Sequence, residues 1–190
     1  MSIPNVHYNT PHLYIIMDFH DLIIKRRSIR RYTDQPISAD HVRLILEAAL
    51  LSPTSKSARA WQLVVIEDKE KLDQLMGCKP AGAVSLKTCP LAVAVCVDAT
   101  KSEAWIEDAS VAASYMQLQA SDLGIGSCWI QVYGRFAADG TSSDQFVQEC
   151  LGIPENCPVL CILTFGYPAE ERKLQDTEKL KWENVHIGQW

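Results

Sequence analysis

The sequence lacks the patterns of a membrane protein, a disulfide-rich secreted protein and a zinc protein. Its longest apolar runs, 91–97 and 159–165, have the length of strands and are too short to span a bilayer. The seven cysteines form no Cys-x-x-Cys pair, and several lie inside apolar runs, where cysteine acts as a small hydrophobic residue. This usage is typical of a reduced, cytoplasmic protein with neither a disulfide framework nor a metal site.

The sequence also has no excess of positive charge. It carries 18 basic and 23 acidic residues, with a formal net charge of -5 and a pI near 5.5. A general nucleic-acid binder would need a basic face across the whole domain. We therefore expect neither nucleic acid nor a membrane as a partner.

Familiar catalytic motifs are missing as well. Gly124 and Gly126 follow a predicted helix instead of a strand, and Trp129 stands where a dinucleotide fingerprint needs its third glycine. There is no P-loop, and the five histidines (7, 12, 20, 41 and 186) suggest no Ser-His-Asp arrangement. An enzyme with this sequence would need a cofactor to carry its chemistry.

The 190 residues predict one domain in which helices alternate with strands. Asp18, Ser38 and Asp68 are predicted helix N-caps, and the longest helix, 103–123, is predicted to end at Gly124. The order of elements indicates an α/β or α+β fold and leaves the strand directions open. The remaining predicted elements are strands at 62–66, 91–97, 127–132 and 159–165 and a helix at 143–151.

The two ends of the chain differ from its body. Residues 1–16 carry no Lys or Arg and have an apolar run too short for a signal peptide, so we interpret them as an N-terminal extension. The arm at about 167–190 is polar but contains large apolar side chains, and we expect it to dock on a partner subunit because it is too short to fold alone. These side chains are Trp182, Val185, Ile187 and Trp190.

The most informative segment is Lys25–Arg31, which places five basic residues in seven positions. Ser28 lies among them. Arginine guanidinium groups with a hydroxyl supply the charge-assisted donors that a phosphate monoester needs. From the residues alone, a solvated charge run or a nucleic-acid patch remains an alternative.

Two further segments suggest contacts with a ligand. The segment 52–61 joins a helix to a strand and is rich in small hydroxyl residues, although it is also compatible with an ordinary loop. The segment 123–131 contains glycines that would let the backbone approach a flat ligand, or it is simply a helix end that leads into a core strand.

Taken together, these segments resemble the FMN-dependent nitroreductase family over about residues 17 to 190. The resemblance implies an α+β fold with a central, mostly antiparallel sheet flanked by helices, in an intertwined homodimer with FMN at the interface. Its motifs are Arg26–Tyr32 after an opening helix, Ile45–Ala49 leading to Ser52–Ser55, Trp61 at a strand start, Leu123–Trp129, Leu151–Pro154, and Gly166–Pro168 before a basic tail.

The resemblance also implies roles for individual residues. Arg26, Arg27 and Ser28 would hold the FMN phosphate and ribityl chain. Arg30 would lie near the pyrimidine end of the ring, where a cation stabilises the negative charge left by reduction. The flavin of the opposite subunit would be reached by the loop residues Pro53, Thr54, Ser55 and Ser57. The ring would be lined by Trp129, Ile130 and Gln131, with the backbone near Gln131 facing N5. The tail would close on the phosphate with Arg172 and Lys173.

Three departures from the family pattern limit the inference. Ser57–Trp61 stands where many members have Asn-x-Gln-Pro-Trp, so a side-chain amide is missing. Gln131 replaces a Glu found in some members. The stretch 78–90 has no residue that matches the family's other flavin contacts.

The function that the resemblance implies is an NAD(P)H-dependent FMN oxidoreductase. It would accept hydride from NADH or NADPH and reduce a small-molecule acceptor (a nitroaromatic, a quinone or a similar flat electrophile) at the same flavin face by a ping-pong mechanism. The alternatives are an FMN-dependent dehydrogenase or dehalogenase of the same fold, or a flavin-binding protein without turnover.

Overall fold

The computed structural model describes residues 18–190, and the extension predicted for residues 1–16 lies outside this range. Five α-helices and four strands are formed within it. The helices are α1 (Phe19–Lys25), α2 (Ala39–Leu50), α3 (Lys69–Leu75), α4 (Trp105–Asp122) and α5 (Ser143–Leu151). The strands are β1 (Trp61–Ile66), β2 (Leu91–Val97), β3 (Gly126–Gln131) and β4 (Val159–Gly166). Short 3-10 helices lie at Ser55–Ser57, Met76–Cys78, Val84–Lys87, Thr177–Lys179 and Trp182–Asn184.

The four strands form one sheet in the order β1-β2-β4-β3, and every neighbouring pair is antiparallel. The α+β fold with an antiparallel central sheet is therefore confirmed. β2 and β4 are buried along their whole length, as expected for central strands without an alternating polar face. β1 and β3 are the edge strands.

The predicted helix starts are confirmed by their hydrogen bonds. In α1, α2 and α3 the side chains of Asp18, Ser38 and Asp68 each accept a backbone N–H two or three residues further on. These caps depend on neighbours in sequence, which is why the sequence alone predicts them.

The long helix α4 begins at Trp105, two residues later than predicted. Before it, the Ser102 hydroxyl donates to the carboxylate of Asp108 (2.6 Å) in the first turn. At its other end Gly124 takes a left-handed conformation (φ 72°), and the Ile125 N–H donates to the Ala120 carbonyl at 2.8 Å. This is the hydrogen bond of a Schellman motif, and it turns the chain sharply into β3.

The sheet separates two layers of core. Leu91, Val93 and Val95 belong to the layer of α2 and α4, whereas the alternate residues of β2 belong to the layer of α3 and α5. Ile29 and Tyr32, from the segment that follows α1, complete the second layer. This packing brings the basic segment against the edge of the sheet where β3 begins. Within 18–190, no helix is both long and apolar enough to cross a membrane.

Candidate functional site

The basic segment runs between the start of β3 and the end of β4. On one side Ser28 bridges to Ser127 in parallel, and the Ile29 N–H donates to the Ser127 carbonyl at 2.9 Å. On the other side the Ala169 N–H donates to the Arg31 carbonyl at 3.0 Å. The segment thus extends the sheet beyond β3, and its arginines sit on a backbone that is fixed at both edges.

Two glycines allow this close approach. A Cβ at Gly126 would lie 2.9 Å from the Cβ of Ile29, and one at Gly166 would lie 2.7 Å from the Cγ of Tyr32. The hydroxyl of Tyr32 donates to the Ile29 carbonyl and lies 2.7 Å from the Thr164 Oγ1. Burial raises the pKa of Tyr32 well above its ordinary value, so the phenol that makes these hydrogen bonds stays neutral.

A cleft of about 210 Å³ opens beside this segment, and its wall carries four cationic side chains. Backbone from the turn between α4 and β3 forms the opposite wall. Arg26, Arg27 and Arg172, to which the resemblance assigns the FMN phosphate, line the cleft together with Lys25. The full lining is Lys25, Arg26, Arg27, Ile29, Ser121, Gly124, Ile125, Gly126, Ser127, Pro168, Glu170 and Arg172.

Three other predicted cofactor contacts, Ser28, Arg30 and Lys173, do not line the cleft. The guanidinium Nη1 of Arg27 donates to the Lys173 carbonyl at 2.6 Å, so Lys173 meets this site through its backbone. Ser28 is half-buried and Arg30 is exposed, and neither lines the cleft. Of the residues predicted to hold the phosphate, Arg26, Arg27 and Arg172 line the cleft.

Glu170 is a site residue that the sequence reasoning missed. Its side chain is 8% exposed, and its carboxylate accepts the Arg30 backbone N–H (2.7 Å) and the Arg172 guanidinium (3.0 Å). Arg31 lies 3.6 Å away. The Arg30 N–H, followed by the two guanidinium groups, holds the pKa of Glu170 below its usual value. One acidic residue in a charged tail gives no sequence signal for contacts made across 140 residues.

The free edge of β3 continues from the cleft. The Ser127 carbonyl accepts from the Ile29 N–H, so the backbone N–H and C=O of Ser127 point away from β4. Because these groups alternate in direction along a strand, those of Trp129 and Gln131 point the same way. Ile130 has the opposite orientation, and its side chain is 1% exposed in the core between the sheet and α5. Trp129 and Gln131 can thus face a ligand at this edge, whereas the side chain of Ile130 cannot.

Two cations lie near the buried thiol of Cys128 in the middle of β3. Burial raises the pKa of Cys128, while the charges of Arg30 and Lys79 act in the opposite direction. Lys79 comes from the stretch 78–90, in which the sequence reasoning identified no contact. The carboxylate of Glu170 raises the pKa of the same thiol, so charges of both signs act on Cys128.

The hydroxyl-rich loop has an unusual backbone. Lys56, Ser57 and Arg59 all have φ between 48° and 53°, a left-handed conformation that side chains other than glycine rarely adopt. Two contacts hold the loop: the Ser55 N–H donates to the Asp108 carboxylate (2.7 Å), and the Arg59 N–H donates to the Thr54 hydroxyl (3.1 Å). Pro53 and Ser57 are exposed.

The cleft and this loop lie at opposite ends of α4. Asp108, which holds the loop, is in the first turn of the helix, and Ser121, which lines the cleft, is in the last. A separation of 13 helical residues at 1.5 Å each corresponds to about 20 Å. One chain thus brings Arg26, Arg27 and Arg172 together but leaves the predicted loop contacts, Pro53, Thr54, Ser55 and Ser57, at a distance.

Within the described part of the chain, residues 18–190, no group of three or more His, Cys, Asp or Glu side chains is arranged to hold a metal ion. The seven cysteines are free thiols.

Known proteins are similar to this chain in fold or in sequence. An FMN-dependent nitroreductase from Clostridium difficile superposes with a TM-score of 0.87 and 44% identity, covering 89% of this chain and 98% of that one. A relative from Archaeoglobus fulgidus, provisionally named NADH dehydrogenase/NAD(P)H nitroreductase, is 33% identical over 89% of this chain and 97% of its own. The FMN reductase [NAD(P)H] of Bacillus subtilis is 24% identical over 76% of this chain and 63% of its own. The profile of the nitroreductase family matches residues 23–85 and 82–167, and the chain belongs to that family.

Proposed function

We propose that this chain is an FMN-dependent oxidoreductase. It accepts hydride from NADH or NADPH and reduces nitroaromatics, quinones or similar flat electrophiles by a ping-pong mechanism. The observation that carries the proposal is the continuity of the cationic cleft with the free edge of β3. This arrangement offers one anion site and one flat polar edge to the same elongated ligand. Membership of the nitroreductase family supports the same conclusion.

The residues present fit FMN at its phosphate end. Arg26 and Arg172 supply guanidinium groups, and that of Arg172 is oriented by the Glu170 carboxylate at 3.0 Å. At Gly126 the nearby Ile29 leaves no space for a side chain. Arg27 also lines the cleft and contributes positive charge to it. Its guanidinium donates to the Lys173 carbonyl and thereby holds the start of the C-terminal arm.

At the ring end, the free edge of β3 offers the backbone groups of Trp129 and Gln131 to a planar heterocycle. Bound FMN would supply the redox chemistry by accepting hydride and passing it to the acceptor. The chain orients the ring and stabilises negative charge. Arg30, whose backbone N–H is held by the Glu170 carboxylate, is the cation that we propose for that purpose.

We further propose that the functional unit is a homodimer. The loop residues, about 20 Å from the cleft of their own chain along α4, would complete the site of the partner. The arm at 167–190 supports this arrangement because Trp182, Ile187 and Trp190 are 70%, 94% and 99% exposed in the single chain. Docking on the partner subunit would bury these side chains. Cytoplasmic location stays a prediction from the cysteine pattern.

Paired titrations with FMN and riboflavin test the site. Arg172→Ala should weaken FMN binding about 10- to 100-fold, because a charge-assisted hydrogen bond contributes about 1.5–3 kcal/mol. Riboflavin has no phosphate, so its affinity should not change. Lys69→Ala is the matched control, because that ammonium pairs with Asp73 on α3, outside the cleft. Equal losses for FMN and riboflavin, or no loss for either, would contradict a phosphate site in the cleft.

A further inference from the structure

The side chain of Gln131 makes two directional hydrogen bonds at the end of β3. Its Oε1 accepts from the indole Nε1 of Trp129 at 2.9 Å, and its Nε2 donates to the backbone carbonyl of Tyr133 at 3.0 Å. The amide therefore uses an acceptor on one side and a donor on the other. An amide supplies both a donor and an acceptor at every pH, whereas a carboxyl group supplies a donor only when it is protonated.

This bridge continues into other elements. The ring of Tyr133 meets that of Trp105 edge to face, with centroids 4.7 Å apart and planes at 88°. Trp105 opens α4, and Asp108, one turn later, holds the backbone of Ser55. A continuous set of contacts thus connects the end of β3 with the loop that contains Ser55.

We propose that Gln131 is a positioning residue for the ring end of the flavin site. Its amide fixes the indole of Trp129 and the backbone from Gln131 to Tyr133, so that the Gln131 N–H is presented on the free edge of β3. This inference rests on the proposed FMN function for its purpose, although the bridge itself is a property of the protein without cofactor.

The choice of amide over carboxylate has a physical reason. A glutamate at position 131 would still accept from Trp129, but it would place a second acceptor against the Tyr133 carbonyl, which is 3.0 Å from Nε2. An amide avoids this repulsion.

Gln131→Glu makes the bridge dependent on pH. The ionised carboxylate cannot donate to Tyr133, whereas the protonated form can, so the repulsion raises the pKa of the introduced group. The bridge should be broken at pH 8 and should re-form as the pH falls towards the ordinary glutamic acid pKa of about 4.3. Titratable residues in contact with Gln131 or paired with it are Tyr133, and Cys161 on β4, and wild-type protein measured in parallel accounts for them.

The experiment measures near-UV circular dichroism and tryptophan fluorescence of the apoprotein from pH 8 to about pH 4, and FMN affinity over the same range. Gln131→Glu should differ from wild type at pH 8 and converge with it at low pH, with FMN binding several-fold weaker only at high pH. Gln131→Met, which removes both bonds, should differ at every pH. Gln62→Glu, the same substitution at an exposed position on the opposite edge strand, should match wild type throughout.

Either of two spectroscopic results would show that the bridge does not act as inferred: Gln131→Glu spectra that match wild type at every pH, or a difference that does not change with pH. If the spectra converge as expected but wild-type protein does not bind FMN, the proposed function fails while the bridge stands. If FMN binds equally well to all variants at pH 8, Gln131 does not position the ring.

Discussion

Replacing Gly126 by alanine should separate the basic segment from β3. The added Cβ would lie 2.9 Å from both the Cβ and the Cγ1 of Ile29 and 3.0 Å from its Cγ2, which is closer than carbon atoms pack. Ile29 is buried and β-branched, so its side chain has few alternative rotamers. Overpacking of this kind costs about 1–3 kcal/mol, and weakening of the hydrogen bond between the Ile29 N–H and Ser127 adds about 1 kcal/mol.

The free energy of unfolding, measured in urea, should therefore fall by about 2–4 kcal/mol. FMN affinity, measured by quenching of flavin fluorescence, should fall at least about tenfold, because the shifted segment carries Arg26 and Arg27 into the cleft. Gly77→Ala is the matched control. Its Cβ would come within 3.0 Å of only the ring end of Phe146, so its stability loss should be smaller and its FMN affinity unchanged.

A double-mutant cycle tests whether contact with Ile29 causes the loss of stability in Gly126→Ala. Ile29→Ala removes Cγ1 and Cγ2, so Gly126→Ala should be less destabilising in that background, with a coupling of about 0.5–3 kcal/mol. Strict additivity of the two substitutions, or a Gly126→Ala protein within about 0.5 kcal/mol of wild type, would refute the close approach as the reason for glycine.

Three further substitutions test other contacts of the site. Tyr32→Phe should lower the free energy of unfolding by about 1–3 kcal/mol, because buried acceptors, among them Thr164, lose a partner; an unchanged urea midpoint would contradict this. Asp108→Ala should destabilise by about 1–3 kcal/mol for each donor left unpaired, with faster proteolysis of the loop at Ser55, whereas unchanged cleavage would show that the loop needs no anchor. For Glu170→Gln, thermal unfolding from pH 7 to pH 2 should show a deficit that is full above about pH 4.5 and vanishes as the pH falls through the lowered pKa of Glu170. A deficit that is the same at every pH would exclude the charge as its cause.

Features fixed by neighbours in sequence were predictable. The N-caps at Asp18, Ser38 and Asp68 depend on residues two or three positions away, and the central strands are recognisable as unbroken apolar runs. The basic segment and the hydroxyl-rich loop were also identified, because each concentrates one kind of chemistry in a few consecutive positions.

Features that depend on long-range packing were not predictable from the residues alone. The contacts of Glu170 with Arg30 and Arg172 form only when the tail folds back beside the basic segment. The orientation of Ile130 into the core follows from the register of β3 against β4, and a shift by one residue would have reversed it. The separation of the loop from the cleft is set by the length of α4.

The most direct test of the proposed function is an absorbance spectrum. Purified protein is incubated with FMN, freed of unbound flavin, and measured under anaerobic conditions before and after addition of NADH or NADPH. An FMN-dependent oxidoreductase should show flavin bands that remain with the protein and bleach with at least one donor. A protein that retains no flavin, or whose flavin stays oxidised with both donors, would contradict the proposed function.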